Sequence, residues 1–184
     1  MNYYPNAAQG LKMMFWAEIA AIACVVLMVV PLVNILAMIA ALAASIISMV
    51  GLYKAGSDDE GYKTAFILTI VNLVLELLNG VEGFFGGLIS IASAVVGLAV
   101  VYYVCTATAR LLTAVDSAEV AERSNVWKIY LACTVVEVVF VLVSWIPVLN
   151  VLAAIATVIS AIVMLVAEVF YMIFLYRSYQ ALGA

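Results

Sequence analysis

The sequence contains no histidine, and charged residues make up only 10% of its 184 positions. A typical soluble domain has about 25% charged residues. The hydrophobic types reach 69%, which is more than a soluble fold of this size can bury. The composition therefore excludes an ordinary soluble domain and predicts a polytopic membrane protein.

The missing histidine also removes a common general base and metal ligand. There is no GxSxG, HExxH or P-loop motif, and the three cysteines form no CxxC pair. We therefore expect no enzymatic activity and no cofactor, and cysteines that pack as small apolar residues. Metal binding is left open. The seven Lys and Arg residues are scattered singly, so we expect no binding of nucleic acid.

Long apolar runs divide the chain, and they are apolar at consecutive rather than alternating positions. This pattern is typical of membrane-spanning helices of about 20 residues and not of closed barrels. We predict an all-α protein with one domain, residues 1–184, and six transmembrane helices. They form three antiparallel hairpins, at about residues 11–53, 62–112 and 127–176. Residues 54–61 and 113–126 are cytoplasmic loops, and Met1–Gly10 is expected to be loose. A four-helix alternative would make the third and fourth runs peripheral.

One stretch of the form aliphatic-Pro-aliphatic-aliphatic-Asn-aliphatic-Leu-Ala occurs twice, each time between two apolar runs. Proline cannot continue a preceding helix, and Asn is a favourable cap for the next one. We therefore predict that Pro31 with Asn34, and Pro147 with Asn150, form the turns of the first and third hairpins.

All seven Lys and Arg residues fall on one side of this six-helix plan. Short loops that are rich in Lys and Arg stay in the cytoplasm. We therefore expect a multi-pass protein of the cytoplasmic membrane, a bacterial inner membrane, with both termini inside the cell.

Acidic residues inside the apolar runs are the candidate functional groups, because placing one at mid-bilayer costs roughly 2.5–3.5 kcal/mol. Glu137 and Glu168 lie on the two helices of the last hairpin, each nine residues from a predicted cytoplasmic cation. We predict that these carboxyl groups meet and share a proton. Thr134 and Tyr171 lie at helical spacing beside them and complete this ligand or proton site.

Glu18, Asn72 and Glu76 are secondary polar positions in the first and third helices. The simpler alternative is that all of these groups are neutral hydrogen-bond partners between helices. Small residues also line one face of the first, second and fourth helices. Such faces permit close approach of helices, either within the chain or against a partner.

The stretch from Gly51-Leu-Tyr-Lys54 to Gly61-Tyr-Lys-Thr-Ala-Phe66 places a polar loop between two apolar hairpins. In this pattern the chain resembles small multi-pass bacterial membrane proteins of unknown function, and the resemblance implies no activity. In length and helix number it is also similar to substrate-binding subunits of energy-coupling transporters, although it carries no ligand motif of that group.

Two functions are consistent with these features of the sequence. The first is a transport or solute-binding protein that holds a cation, a proton or a small solute at inward-facing carboxylates. The second is a non-catalytic scaffold or accessory subunit that binds another membrane protein, or a second copy of itself, through small-residue faces. The lipid bilayer is the partner that both functions share. A cavity that reaches the carboxylates would favour the first.

Overall fold

The computed structural model describes residues 4–27, 34–78, 84–115, 123–144, 146 and 150–183. The α-helices are α1 (Pro5–Leu27), α2 (Asn34–Ala55), α3 (Glu60–Leu78), α4 (Phe84–Ala114), α5 (Trp127–Ser144) and α6 (Asn150–Gly183). A short 3₁₀ helix, Arg123–Val126, leads into α5. All six α-helices are long and apolar enough to cross a membrane, which confirms the predicted number and class.

The first helix begins at Pro5, so the expectation that Met1–Gly10 is loose is wrong from Pro5 onward. Proline suits the first helical position, because the N–H that it lacks would be unpaired there. The carboxylate of Asp58 accepts hydrogen bonds from the Asn6 side chain (3.1 Å) and the Ala7 N–H (2.7 Å). The loop after α2 thus caps α1, where the helix dipole favours a negative charge.

The two predicted turn prolines, Pro31 and Pro147, lie outside the described residues. Helices α2 and α6 begin at Asn34 and Asn150, the residues predicted as caps. Capping by these two side chains stays a prediction.

The six helices close into a ring. Each α-helix packs against the next along the chain, and α1 also packs against α6. The helix ends meet at one end of this ring: Gly10 contacts Gly51, Gly61 lies against Ala107, and Gly183 lies beside Ala8. We call this the packed end, formed by the starts of α1, α3 and α5 and the ends of α2, α4 and α6.

Buried side chains concentrate at the packed end. The largest of those that are fully buried include Leu11, Met14, Leu52, Tyr62, Leu112, Phe174, Leu175 and Leu182. The hydroxyl of Thr108 donates to the Val104 carbonyl (2.7 Å), so the buried Tyr62 hydroxyl, 2.7 Å from Thr108 Oγ1, is the donor between them. Away from this end the large apolar side chains are mostly exposed, as on Leu36, Leu77 and Val139, and they suit a surface that contacts lipid.

Asp59 joins α3 and α4 at the packed end. Its Oδ1 accepts a hydrogen bond from the Gly61 N–H (2.7 Å) and so caps α3. Arg110 of α4 donates to both oxygens, Nη2 to Oδ1 at 2.6 Å and Nε to Oδ2 at 3.0 Å. Burial raises the pKa of Asp59, but the hydrogen bonds from Arg110 and Gly61 lower it more, so the pKa of this carboxyl lies below its usual value.

Asp59→Ala should lower the free energy of unfolding by about 1–2 kcal/mol, mostly through the lost cap, since the Arg110 side chain is 55% exposed. Because the folded pKa is the lower one, this stabilisation is complete above the unfolded pKa of about 3.9 and is lost as the pH falls through the folded pKa. Thermal unfolding in detergent across this pH range measures both effects. Glu60→Ala removes the neighbouring, exposed acid as a control, and an equal loss in the two variants would contradict the cap.

Candidate functional site

A cavity of about 410 Å³ lies at the centre of the ring, and all six helices contribute to its lining. Its polar lining residues are Glu18, Ser48, Thr69, Asn72, Glu76, Tyr130, Thr134, Glu168 and Tyr171. Among the described residues that line it there is no Lys or Arg. Three carboxyl groups from three different helices therefore share one internal space without a basic partner in the described lining.

Glu18 and Glu168 both line this cavity and lie close enough to interact electrostatically. Glu18 lies one turn beyond Met14 on the same face of α1, and Glu168 lies one turn before Tyr171 on α6. The packing of α1 against α6 brings these faces together. The two groups are close enough to repel each other when both are ionised.

Glu137 does not lie in this cavity. It is exposed on α5, whereas Thr134, one turn earlier, is buried and lines the cavity. No described residue of α5 after Thr134 is buried. The predicted meeting of Glu137 with Glu168 is not seen in the lining of this cavity, where Glu18 is the carboxyl group that interacts electrostatically with Glu168. Of the four residues predicted for the site, Glu168, Thr134 and Tyr171 line the cavity.

Tyr130 and Tyr171 form an edge-to-face pair in the cavity wall, with ring centroids 5.8 Å apart and an interplanar angle of 72°. Both are almost fully buried. The Tyr130 hydroxyl lies near the carboxyl group of Glu168 and interacts with it. Sequence reasoning missed Tyr130 as a site residue, although its helical spacing to Thr134 was a usable signal.

A chain of hydrogen bonds crosses from α4 to α3 at another part of the cavity wall. Ser93 Oγ donates to Asn72 Oδ1 (2.8 Å), and Asn72 Nδ2 donates to Glu76 Oε1 (2.8 Å). The three residues predicted as secondary polar positions, Glu18, Asn72 and Glu76, all line the central cavity. They also line a smaller space of about 150 Å³ between α1, α2 and α3, so the two spaces adjoin.

Three small residues of the first two helices are buried within the chain. Ala17 and Cys24 of α1 are buried, and so is Ala37 of α2. Ser48 of α2 and Gly97 of α4 line the central cavity. These residues let the helices approach one another and leave room for the cavity.

No group of three or more acidic or cysteine side chains in the described part of the chain is arranged to hold a metal ion. Comparison of the chain with protein families, with curated proteins and with solved structures finds no match. The function is therefore inferred from the chemistry of the central cavity.

Proposed function

We propose that this chain is a membrane transport or solute-binding protein that binds a cation or a proton between Glu18 and Glu168. The observation that carries the proposal is the central cavity. Both carboxyl groups line it and interact electrostatically, and its described lining contains no Lys or Arg. Acidic residues are costly inside a membrane protein and mark ion or proton pathways. Two such groups side by side attract a positive charge more strongly than either does alone.

A further observation favours a binding site over purely structural hydrogen bonding: the cavity has room for a ligand and water beside the carboxyl groups. The scaffold function has less support, because Ala17, Cys24 and Ala37 are buried within the chain and are not free for a partner.

We also propose that the six helices form three antiparallel hairpins and that the packed end lies in the cytoplasm, with both termini inside a bacterial cell. Supporting this orientation, six of the cations lie within about two turns of the helix ends that form the packed end. They are Lys12, Lys54, Lys63, Arg110, Lys128 and Arg177. Clusters of Lys and Arg near helix ends stay on the cytoplasmic side.

Proton release on cation binding tests the proposal. The purified full chain is placed in detergent with little buffer, and chlorides of Na⁺, K⁺, Ca²⁺ and small alkylammonium ions are added in turn. At least one cation should release roughly one proton per chain, because it displaces the proton that the two carboxyl groups share. Glu168→Gln should abolish the release, and Glu137→Gln, the same change at an exposed glutamate, should retain it.

Equal proton release from Glu168→Gln and from the unchanged protein would place the binding elsewhere and contradict the proposed site. If no cation releases a proton and none gives a measurable heat of binding, the result contradicts the proposed function itself.

A further inference from the structure

We propose that the cavity takes a small organic ammonium ion with a hydrocarbon body, whose ammonium group lies between Glu18 and Glu168 beside Tyr130. This inference rests on the proposed function and narrows its substrate class. An inorganic ion is the competing occupant, and the features of the cavity distinguish the two.

The size of the cavity favours a molecule over a bare ion. Pockets for small molecules have volumes of about 300–1,000 Å³, and the central cavity has about 410 Å³. A bound metal ion needs several oxygen ligands that converge at 2.0–2.6 Å, roughly. No described group of three acidic or cysteine side chains converges in this way.

The hydrogen-bonding groups of the cavity match an ammonium ion. An ammonium group has three N–H donors and no acceptor. The cavity offers it oxygen acceptors from three lining residues, the carboxyl oxygens of Glu18 and Glu168 and the hydroxyl oxygen of Tyr130.

The aromatic and apolar parts of the wall fit the rest of such a molecule. The paired rings of Tyr130 and Tyr171 supply π systems, which attract alkylammonium ions. Met14, Leu98 and Met164 line the same cavity and can pack against a hydrocarbon chain, with the methionines adapting to its shape. An inorganic ion would gain no such hydrocarbon packing from Met14, Leu98 and Met164.

Gly97 leaves part of the cavity open. A Cβ at this position would meet no atom within 4 Å, although the residue lies on a helix that packs against α3 and α5. A large side chain here would therefore occupy the space assigned to the hydrocarbon body without first displacing the surrounding helices.

Calorimetric titration of the full chain in lipid nanodiscs tests the ammonium assignment. The probes are n-pentylammonium chloride, the neutral 1-pentanol as its matched control, NaCl and CaCl₂. Empty nanodiscs correct for partition into lipid. We expect n-pentylammonium to bind at least tenfold more tightly than 1-pentanol.

Four variants locate the site. Glu168→Gln should weaken n-pentylammonium binding at least tenfold, and Glu137→Gln should change it less than twofold. Tyr130→Phe should weaken it about fivefold, since a hydrogen bond to a charged group is lost. Gly97→Leu should abolish it while leaving the melting temperature close to that of the unchanged protein, so that a loss of binding is separated from a loss of fold.

Each result decides between the two proposals. Binding of Na⁺ or Ca²⁺ that depends on Glu168, without binding of n-pentylammonium, would overturn the ammonium assignment and leave the cation function standing. Equal affinity for n-pentylammonium and 1-pentanol would also overturn it, because the carboxyl groups would then contribute nothing to recognition. If no probe binds and no variant has an effect, both proposals fail.

Discussion

Gly10→Ala should lower the free energy of unfolding by about 3 kcal/mol, because α1 and α2 touch backbone to backbone at this position. A Cβ at Gly10 would overlap the Gly51 carbonyl oxygen and lie 2.8 Å from the Cβ of Ala55. A carbonyl oxygen within a helix cannot rotate away as a flexible side chain can. The two helices must therefore separate, and their separation opens the buried packing around Leu11 and Leu52.

Gly97→Ala is the matched control, since it makes the same substitution inside a helix where the added Cβ has no neighbour within 4 Å. Replacing glycine by alanine within a helix is favourable by roughly 0.5–1 kcal/mol. In detergent, the melting temperature should fall by roughly 10 °C for Gly10→Ala and stay constant or rise for Gly97→Ala. Similar melting temperatures for the two variants would show that α1 and α2 do not touch at Gly10.

A cysteine at Ser57 should be shielded from an impermeant thiol reagent in intact cells, whereas a cysteine at Gly80 should react fully. Ser57 is exposed in the loop between α2 and α3 at the packed end, which we place in the cytoplasm. Gly80 lies between α3 and α4 in the sequence, at a position that the proposed orientation puts outside the cell. The background for both variants lacks the three native cysteines, which are buried: Cys24, Cys105 and Cys133.

Permeabilised cells provide the control, because both positions should then react. Gln180, exposed near the end of α6, provides a second cytoplasmic position. Labelling at Ser57 or Gln180 from outside intact cells would reverse the proposed orientation. Shielding at all three positions would argue against a crossing by α3.

Helix number could be predicted from the sequence because each apolar run is bounded by charges, glycines or proline. The start of α5 at Trp127 coincides with the predicted start of the third hairpin. The early start of α1 could not be predicted, since it depends on Asp58, a residue far along the chain that caps the helix. Local sequence patterns do not reveal a partner that only the tertiary fold supplies.

For a related reason, the sequence alone does not predict which carboxyl groups lie close to each other. Spacing along a helix gives the depth of Glu137, Glu168 and Glu18 and the face that each occupies. It does not show which helix lies opposite that face. Pairing within the last hairpin was the simplest assumption, but α1 packs against α6 and supplies Glu18, whereas Glu137 is exposed on α5.

The contact of α1 with α6 joins helices that leave the ribosome at very different times. Helices α2 to α5 must all be inserted before α6 arrives, and until then Glu18 has no Glu168 to face. A nascent chain that stops short of α6 has neither a closed ring nor the complete cavity wall. Completion of the cavity therefore depends on α6, which brings Glu168 and Tyr171 to the wall that Glu18 already lines.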